Sequence, residues 1–136
     1  MKDVVFLDTS AWLAALSARQ EYHDECGTTY RRWLERGNRM VTTTLVVAEM
    51  HVLLLRRTGP VFARKFLAAL DDGRHEIASV DADLVQQAEI QWIRGYEDQG
   101  FSLCDAVSFQ IMRARCIKTA FALDHHFQIA GFRMIP

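Results

Sequence analysis

Four of the seventeen acidic residues sit where an acid is out of place. Asp8 closes the apolar run VVFL, Glu49 lies within LVVAEMHVLLL, Asp105 within SLCDAVSFQIM, and Asp124 closes TAFAL. An ionised carboxylate among apolar neighbours is costly unless it is paired, hydrogen-bonded or bound to metal. Each has an ordinary explanation taken singly. Asp8 and Asp124 could cap following helices, and Asp105, three residues after Ser102, fits a capping box in which Asp replaces the usual Glu or Gln. Glu49 could pair with one of the many arginines. Taken together they point elsewhere, because four convergent carboxylates repel and raise one another's pKa unless a cation neutralises them. An all-oxygen set suits Mg²⁺ or Mn²⁺, and the lack of clustered Cys and His disfavours zinc. Cys26, Cys104 and Cys116 show no CxxC spacing and are expected to be small core residues.

The elements that would gather these acids can be read from periodicity. Val4 to Leu7 and Ile117 to Leu123 read as buried strands, each running into one of the aspartates, with Met40 to Thr42 and His75 to Val80 as further strands and Phe132 to Ile135 as an edge strand. Helices are expected over Tyr22 to Arg36, over Leu45 to Arg57 (apolar almost all round, hence buried), and over Val61 to Leu70. Two more run from Asp81 through Tyr96 and from the Ser102 cap to about Cys116. The alternation predicts a single α/β domain over residues 1–136, with a mainly parallel central sheet flanked by helices. Open sheets of this kind bind ligands at the carboxyl ends of their strands, so Asp8 and Asp124 would share a crevice. Asp105, in the first turn of its helix, would lie near that edge. Glu49, one turn into a helix entered from Thr42-Thr43-Thr44, would approach from the side.

Composition bounds the rest. The 136 residues are 50% apolar and 24% charged, a globular balance. A net charge of −1 excludes the strongly basic composition of a protein that coats nucleic acid by charge alone. With the four acids set aside, thirteen remain against sixteen basic residues, a mildly basic remainder. The opening MKDVVFLDTS lacks the unbroken apolar stretch of a signal peptide, and no run reaches the roughly 18 apolar residues that span a bilayer. A cytoplasmic protein without membrane association is expected.

These segments resemble the PIN-domain family, and within it the VapC-type toxin ribonucleases of toxin-antitoxin pairs. The resemblance covers essentially the whole chain. It is carried in order by FLDTSAWLA with Asp8 and Ser10, TTTLVVAEMHVLL with Glu49, SLCDAVSFQIM with Ser102 and Asp105, and AFALDHHFQIAGF with Asp124 and Phe127. It implies a PIN fold and an acidic site in which Asp8, Glu49, Asp105 and Asp124 hold one or two Mg²⁺ (or Mn²⁺) ions, with Ser10 and Ser102 in support. The implied activity is endoribonuclease cleavage of phosphodiesters by metal-activated water. Some family members carry a further acid just before the closing aromatic; here His126 stands there. His125 and His126 raise the option of a histidine general base, although adjacent helical residues point different ways and an exposed His is the commoner case.

The resemblance also implies an RNA substrate and a small antitoxin that lays an apolar segment into a groove between helices. Phe62, Phe66 and Leu70 could line that groove or a homodimer interface, or simply pack on the sheet. Arg31, Arg32, Arg36 and Arg39, with a second group of Arg56, Arg57, Arg64 and Lys65, could hold phosphate. Trp12 and Trp33 could stack on bases or belong to the core. Two rivals keep the PIN fold: a housekeeping RNA-processing nuclease and a non-catalytic interaction module. A phosphoacceptor receiver domain would need an acidic pair after the first strand and a Lys ending the last; here Thr9 follows Asp8, and Lys118 begins its strand.

Overall fold

VVFL forms β1 (Val4–Leu7), the middle strand of a sheet built with β2 (Arg39–Thr43), β3 (His75–Ala78), β4 (Thr119–Phe121) and β5 (Arg133–Ile135). The structure is a computed structural model that describes residues 3–136; Met1 and Lys2, where the expected domain begins, lie outside the described residues. All four pairings are parallel and the spatial order is β3-β2-β1-β4-β5, so β1 and β4 are neighbours. Helices cover both faces of such a sheet, which is why the inner strands read as continuous apolar runs rather than alternating ones. Phe6, Leu7, Val41, Ala120 and Phe121 are buried within one continuous core. The chain adopts the α/β class and parallel sheet expected from the alternation of its elements.

The connecting helices are α1 (Thr9–Leu16), α2 (His23–Arg36), α3 (Thr44–Thr58), α4 (Pro60–Ala69), α5 (Ala82–Ala88), α6 (Leu103–Ala114) and the short α7 (His126–Ile129). The α1 helix has no counterpart in the expected elements. Thr9 and Ala11 to Ala15 are all buried, so no polar face marks its period. The opposite correction applies to α3, where Val46, Met50 and Leu54 are fully buried and Leu45, Val47 and Leu53 partly so, while Val52 and Leu55 are exposed. The expected helix from Asp81 to Tyr96 is α5 followed by a wider π-helical turn over Glu89–Ile93 and a tight 3₁₀ turn over Arg94–Tyr96. That change of pitch accompanies a fully buried Trp92, whose Nε1 donates to Gln110 Oε1 at 3.0 Å while its ring packs on Tyr96 and Phe109.

One expectation about side chains is revised, and one of the open alternatives is decided. Cys26 is buried as expected, but Cys116 is exposed, at a turn after α6 where its φ is 56°. Trp12 is fully buried with its ring against Phe66 at 5.1 Å and stacked on His75 at 5.7 Å, so it offers no face to a base. Trp33 sets an edge on Phe121 at 5.0 Å. Among the described residues no helix is long and apolar enough to cross a membrane.

Candidate functional site

Adjacent strands β1 and β4 end level with each other, Leu7 pairing with Phe121, and each releases its chain towards an aspartate. Asp8 N donates to Phe121 O at 3.0 Å, extending the ladder by one bond. Asp8 is also the N-cap of α1: its Oδ2 accepts from Ser10 N at 3.2 Å and from Ser10 Oγ at 2.5 Å. The same Ser10 hydroxyl accepts from Leu123 N at 2.9 Å, so one small side chain ties the first acid to the loop leading to Asp124. Thr42 braces the other side, its buried Oγ1 donating to Leu7 O at 2.9 Å. Asp8 is only 5% exposed. Burial pushes its carboxyl up to about 7; the two Ser10 hydrogen bonds pull it down in part, and the charges of Asp105 and Asp124 add to the rise.

Asp105 is held by the complete capping box expected from its spacing. Ser102 Oγ accepts from Asp105 N at 3.0 Å, and Asp105 Oδ2 accepts from Ser102 N at 3.2 Å. The capping and ligand readings of Asp105 are therefore compatible, because a carboxylate has lone pairs left after one cap bond. Asp124 forms a turn in which its Oδ1 accepts from His126 N at 3.0 Å. The two histidine rings lie 4.8 Å apart but differ in exposure. The His125 side chain is 75% exposed, whereas that of His126 is 20% exposed, with Nδ1 at 3.3 Å from Asp105 Oδ2 and 3.5 Å from Asp124 Oδ1. Asp105, Asp124 and His126 present ligand atoms that all lie within 4.8 Å of one another.

Glu49 stands outside this trio, exposed on α3. The premise that it is an acid trapped in an apolar setting fails, because the helical period turns Val46, Met50 and Leu54 inward and leaves Glu49 on the solvent side. No ion pair to an arginine forms at Glu49 among the described residues. Its field nevertheless reaches the site through Cys104. Burial pushes the Cys104 thiol up to about 12, and the carboxylates of Glu49, Asp8 and Asp105 push in the same direction. Cys104 thus lies between α3 and the acids of the sheet edge, a place not foreseen from its type. His126 stands out in the sequence by its position before Phe127, where some family members carry an acid, and as an option for a general base; its approach to both Asp105 and Asp124 was not foreseen.

Two features of the donor set suit a cation. No lysine or arginine is ion-paired with Asp8, Asp105 or Asp124 among the described residues; the basic groups near the acids there are the imidazoles of His126 and, at 3.7 Å from Asp124, His125. Burial is the main reason the Asp8 carboxyl is raised, and the charges of Asp105 and Asp124 add to that rise, a contribution that a cation among the three would offset. Oxygen-rich donors with one imidazole fit a divalent cation of the Mg²⁺ or Mn²⁺ kind.

Fold and site together define a class: a parallel α/β domain that gathers carboxylates along the carboxyl edge of its central strands. A family model described as PIN domain matches residues 5–133, and the chain belongs to the PIN domain family. It is 34% identical over 129 residues, 95% of both chains, to the 23S rRNA-specific endonuclease VapC20 of Mycobacterium tuberculosis. The crystal structure of that VapC20, a Sarcin-Ricin loop cleaving toxin, superposes with a TM-score of 0.85 at 32% identity, covering 97% of this chain and 99% of the other. Two more distant structures share the fold. VapBC2 of Rickettsia felis, bound to a promoter DNA fragment, has a TM-score of 0.70 at 14% identity and covers 96% of each chain. FitAcB of Neisseria gonorrhoeae has 0.66 at 13%, covering 97% of this chain and 96% of that one.

Proposed function

We infer that this chain is a VapC-type endoribonuclease, the toxin of a toxin-antitoxin pair, which hydrolyses RNA phosphodiesters at the acid edge of its sheet with a divalent cation. The observation that carries the reading is the convergence of Asp8, Asp105 and Asp124 with no lysine or arginine paired to them among the described residues, in a chain that shares 34% identity with a 23S rRNA-specific endonuclease. The cation, when bound, would supply an activated water and neutralise charge on the phosphate and the leaving oxygen. Asp8, clamped by Ser10 and the end of β4, is the buried anchor of the site. Asp105 and Asp124 hold the open side, and Glu49 faces substrate from α3. Ser10 and Ser102 orient Asp8 and Asp105 by the hydrogen bonds already described. Cys104 is no nucleophile, since a thiol at about 12 stays protonated at neutral pH. The exposed His125 approaches the carboxylates only at Asp124 Oδ1, at 3.7 Å, and its ring lies 4.8 Å from that of His126.

The substrate inferred from the relative is ribosomal RNA. For the antitoxin, an apolar cavity of about 180 Å³ between α2 and α4 supports docking of an apolar side chain; Leu16, Tyr30, Phe62 and Phe66 line it. Exposed Val52, Leu55, Val61 and Leu67 supply apolar area for a homodimer. The deciding experiment incubates the purified chain with intact ribosomes and with protein-free 23S rRNA, with and without Mn²⁺ or Mg²⁺, and maps the new RNA ends. One cut that needs the cation and is absent in Asp105→Asn is expected. Cleavage undiminished in chelator and in the variant would overturn the reading.

A further inference from the structure

The imidazole of His126 is built into the acid site rather than resting beside it. Its backbone N–H is anchored on Asp124 Oδ1 at 3.0 Å. Its ring packs edge-on against Phe101 with centroids 5.1 Å apart, and its Nδ1 faces Asp105 Oδ2 at 3.3 Å and Asp124 Oδ1 at 3.5 Å. A side chain fixed at both ends loses little further freedom on gaining a ligand. Of the two nitrogens it is Nδ1 that is directed at the carboxylates. Without a cation, an N–H at Nδ1 can donate to Asp105 and relieve part of the carboxylate charge, beside the Ser10 and Ser102 hydrogen bonds. In the tautomer protonated at Nε2, the same atom offers a lone pair to the space that the carboxylate oxygens share.

Resting on the reading of this site as a divalent-cation centre, we propose that His126 is itself a ligand of the cation through Nδ1, making the centre a mixed oxygen and nitrogen one that prefers Mn²⁺ to Mg²⁺. The chemistry follows from ligand type. Mg²⁺ favours oxygen donors and retains its water, whereas imidazole suits the transition metals, whose affinity for a nitrogen-containing site rises from Mn²⁺ onward. An acid in place of His126 would add charge and oxygen and shift the preference towards Mg²⁺. The imidazole adds a neutral donor, leaving the net negative charge to Asp8, Asp105 and Asp124.

The test uses the full chain loaded with Mn²⁺ and reads electron spin echo envelope modulation, which detects ¹⁴N bonded to the ion. A directly coupled nitrogen is expected in the wild type and in the control His125→Ala, and is expected to vanish in both His126→Asp and His126→Gln. Calorimetric titration of the two metals should show the ratio of Mg²⁺ to Mn²⁺ dissociation constants falling roughly tenfold or more in His126→Asp. Mn²⁺ bound with no coupled nitrogen in the wild type, or a signal that His125→Ala removes, overturns the proposal and leaves His126 as a residue that positions Asp105. The wild-type spectrum decides this even if a variant fails to fold. Failure of Mn²⁺ to bind at all is a different result: it overturns the cation-centre reading and this proposal with it.

Discussion

Burial of Asp8 couples its protonation to folding. The carboxyl sits at about 7 in the folded chain against an ordinary 3.8, so between those values the folded state binds more protons than the unfolded one. The resulting stabilisation is complete below about pH 4 and is lost as pH rises through about 7. Denaturant melts of chelator-treated protein should therefore show stability declining across that window, with the slope reduced in Asp8→Asn; an identical slope in the variant would assign the effect to other groups. Asp105 allows its two roles to be separated. Asp105→Asn keeps a side-chain acceptor for Ser102 N–H, so it should fold like the wild type while RNA cleavage falls to background. Asp105→Ala loses the cap bond as well and should cost about 1 kcal/mol of stability in addition. Equal melting temperatures for the two variants would show that the cap contributes nothing measurable.

At the scale of elements, the site depends on how β1, β4 and α1 are joined. Ser10 is the joint, taking a hydrogen bond from Leu123 N and giving one to Asp8. Ser10→Ala leaves a backbone N–H without its partner and should destabilise by roughly 1–3 kcal/mol. It should also slow cleavage, because the loop carrying Asp124 loses its tie to Asp8. Glu49 on α3 presents the opposite case. It is exposed and makes no ion pair among the described residues, so Glu49→Gln should change stability by less than about 0.5 kcal/mol. A large loss of cleavage at unchanged melting temperature would then place Glu49 in the chemistry, and unchanged cleavage would remove it.

Over the whole molecule, cation binding and folding are linked. A divalent cation that binds only the folded chain should stabilise it by about 2.7 kcal/mol at a hundred times its dissociation constant. Thermal melts with Mn²⁺ should rise accordingly in the wild type and remain unmoved in Asp8→Asn; a rise of equal size in both would put the bound ion elsewhere. The basic residues are distributed with equal consequence. Arg39 and Arg115 both bind Glu76, at 3.0 Å and 2.7 Å, and together with Lys118 and Arg133 they line a groove of about 1150 Å³ at the amino-terminal edge of the sheet. Arg39, grouped in the sequence with Arg31, Arg32 and Arg36, is thus engaged at the edge opposite the acids. The near-neutral total charge of −1 resolves into an acidic edge and a basic one.

What the chain determines by itself is local: the apolar runs that become β1 and β4, the acid that follows each, and the Ser102–Asp105 capping box. All are set by neighbours a few residues apart, so their order along the chain was enough to predict a parallel sheet with acids at its carboxyl edge. Burial could not be read the same way, because it depends on what packs from a distance. The nearly all-buried α1 carried no polar face to reveal it, and α3 was apolar enough to look buried while exposing Val52, Leu55 and Glu49. The inward turn of His126 belongs to the tertiary structure too. The place before Phe127 marks His126 in the sequence, but the packing of Phe101 and the position of Asp105, contributed by chain more than twenty residues away, are what hold its ring against both acids.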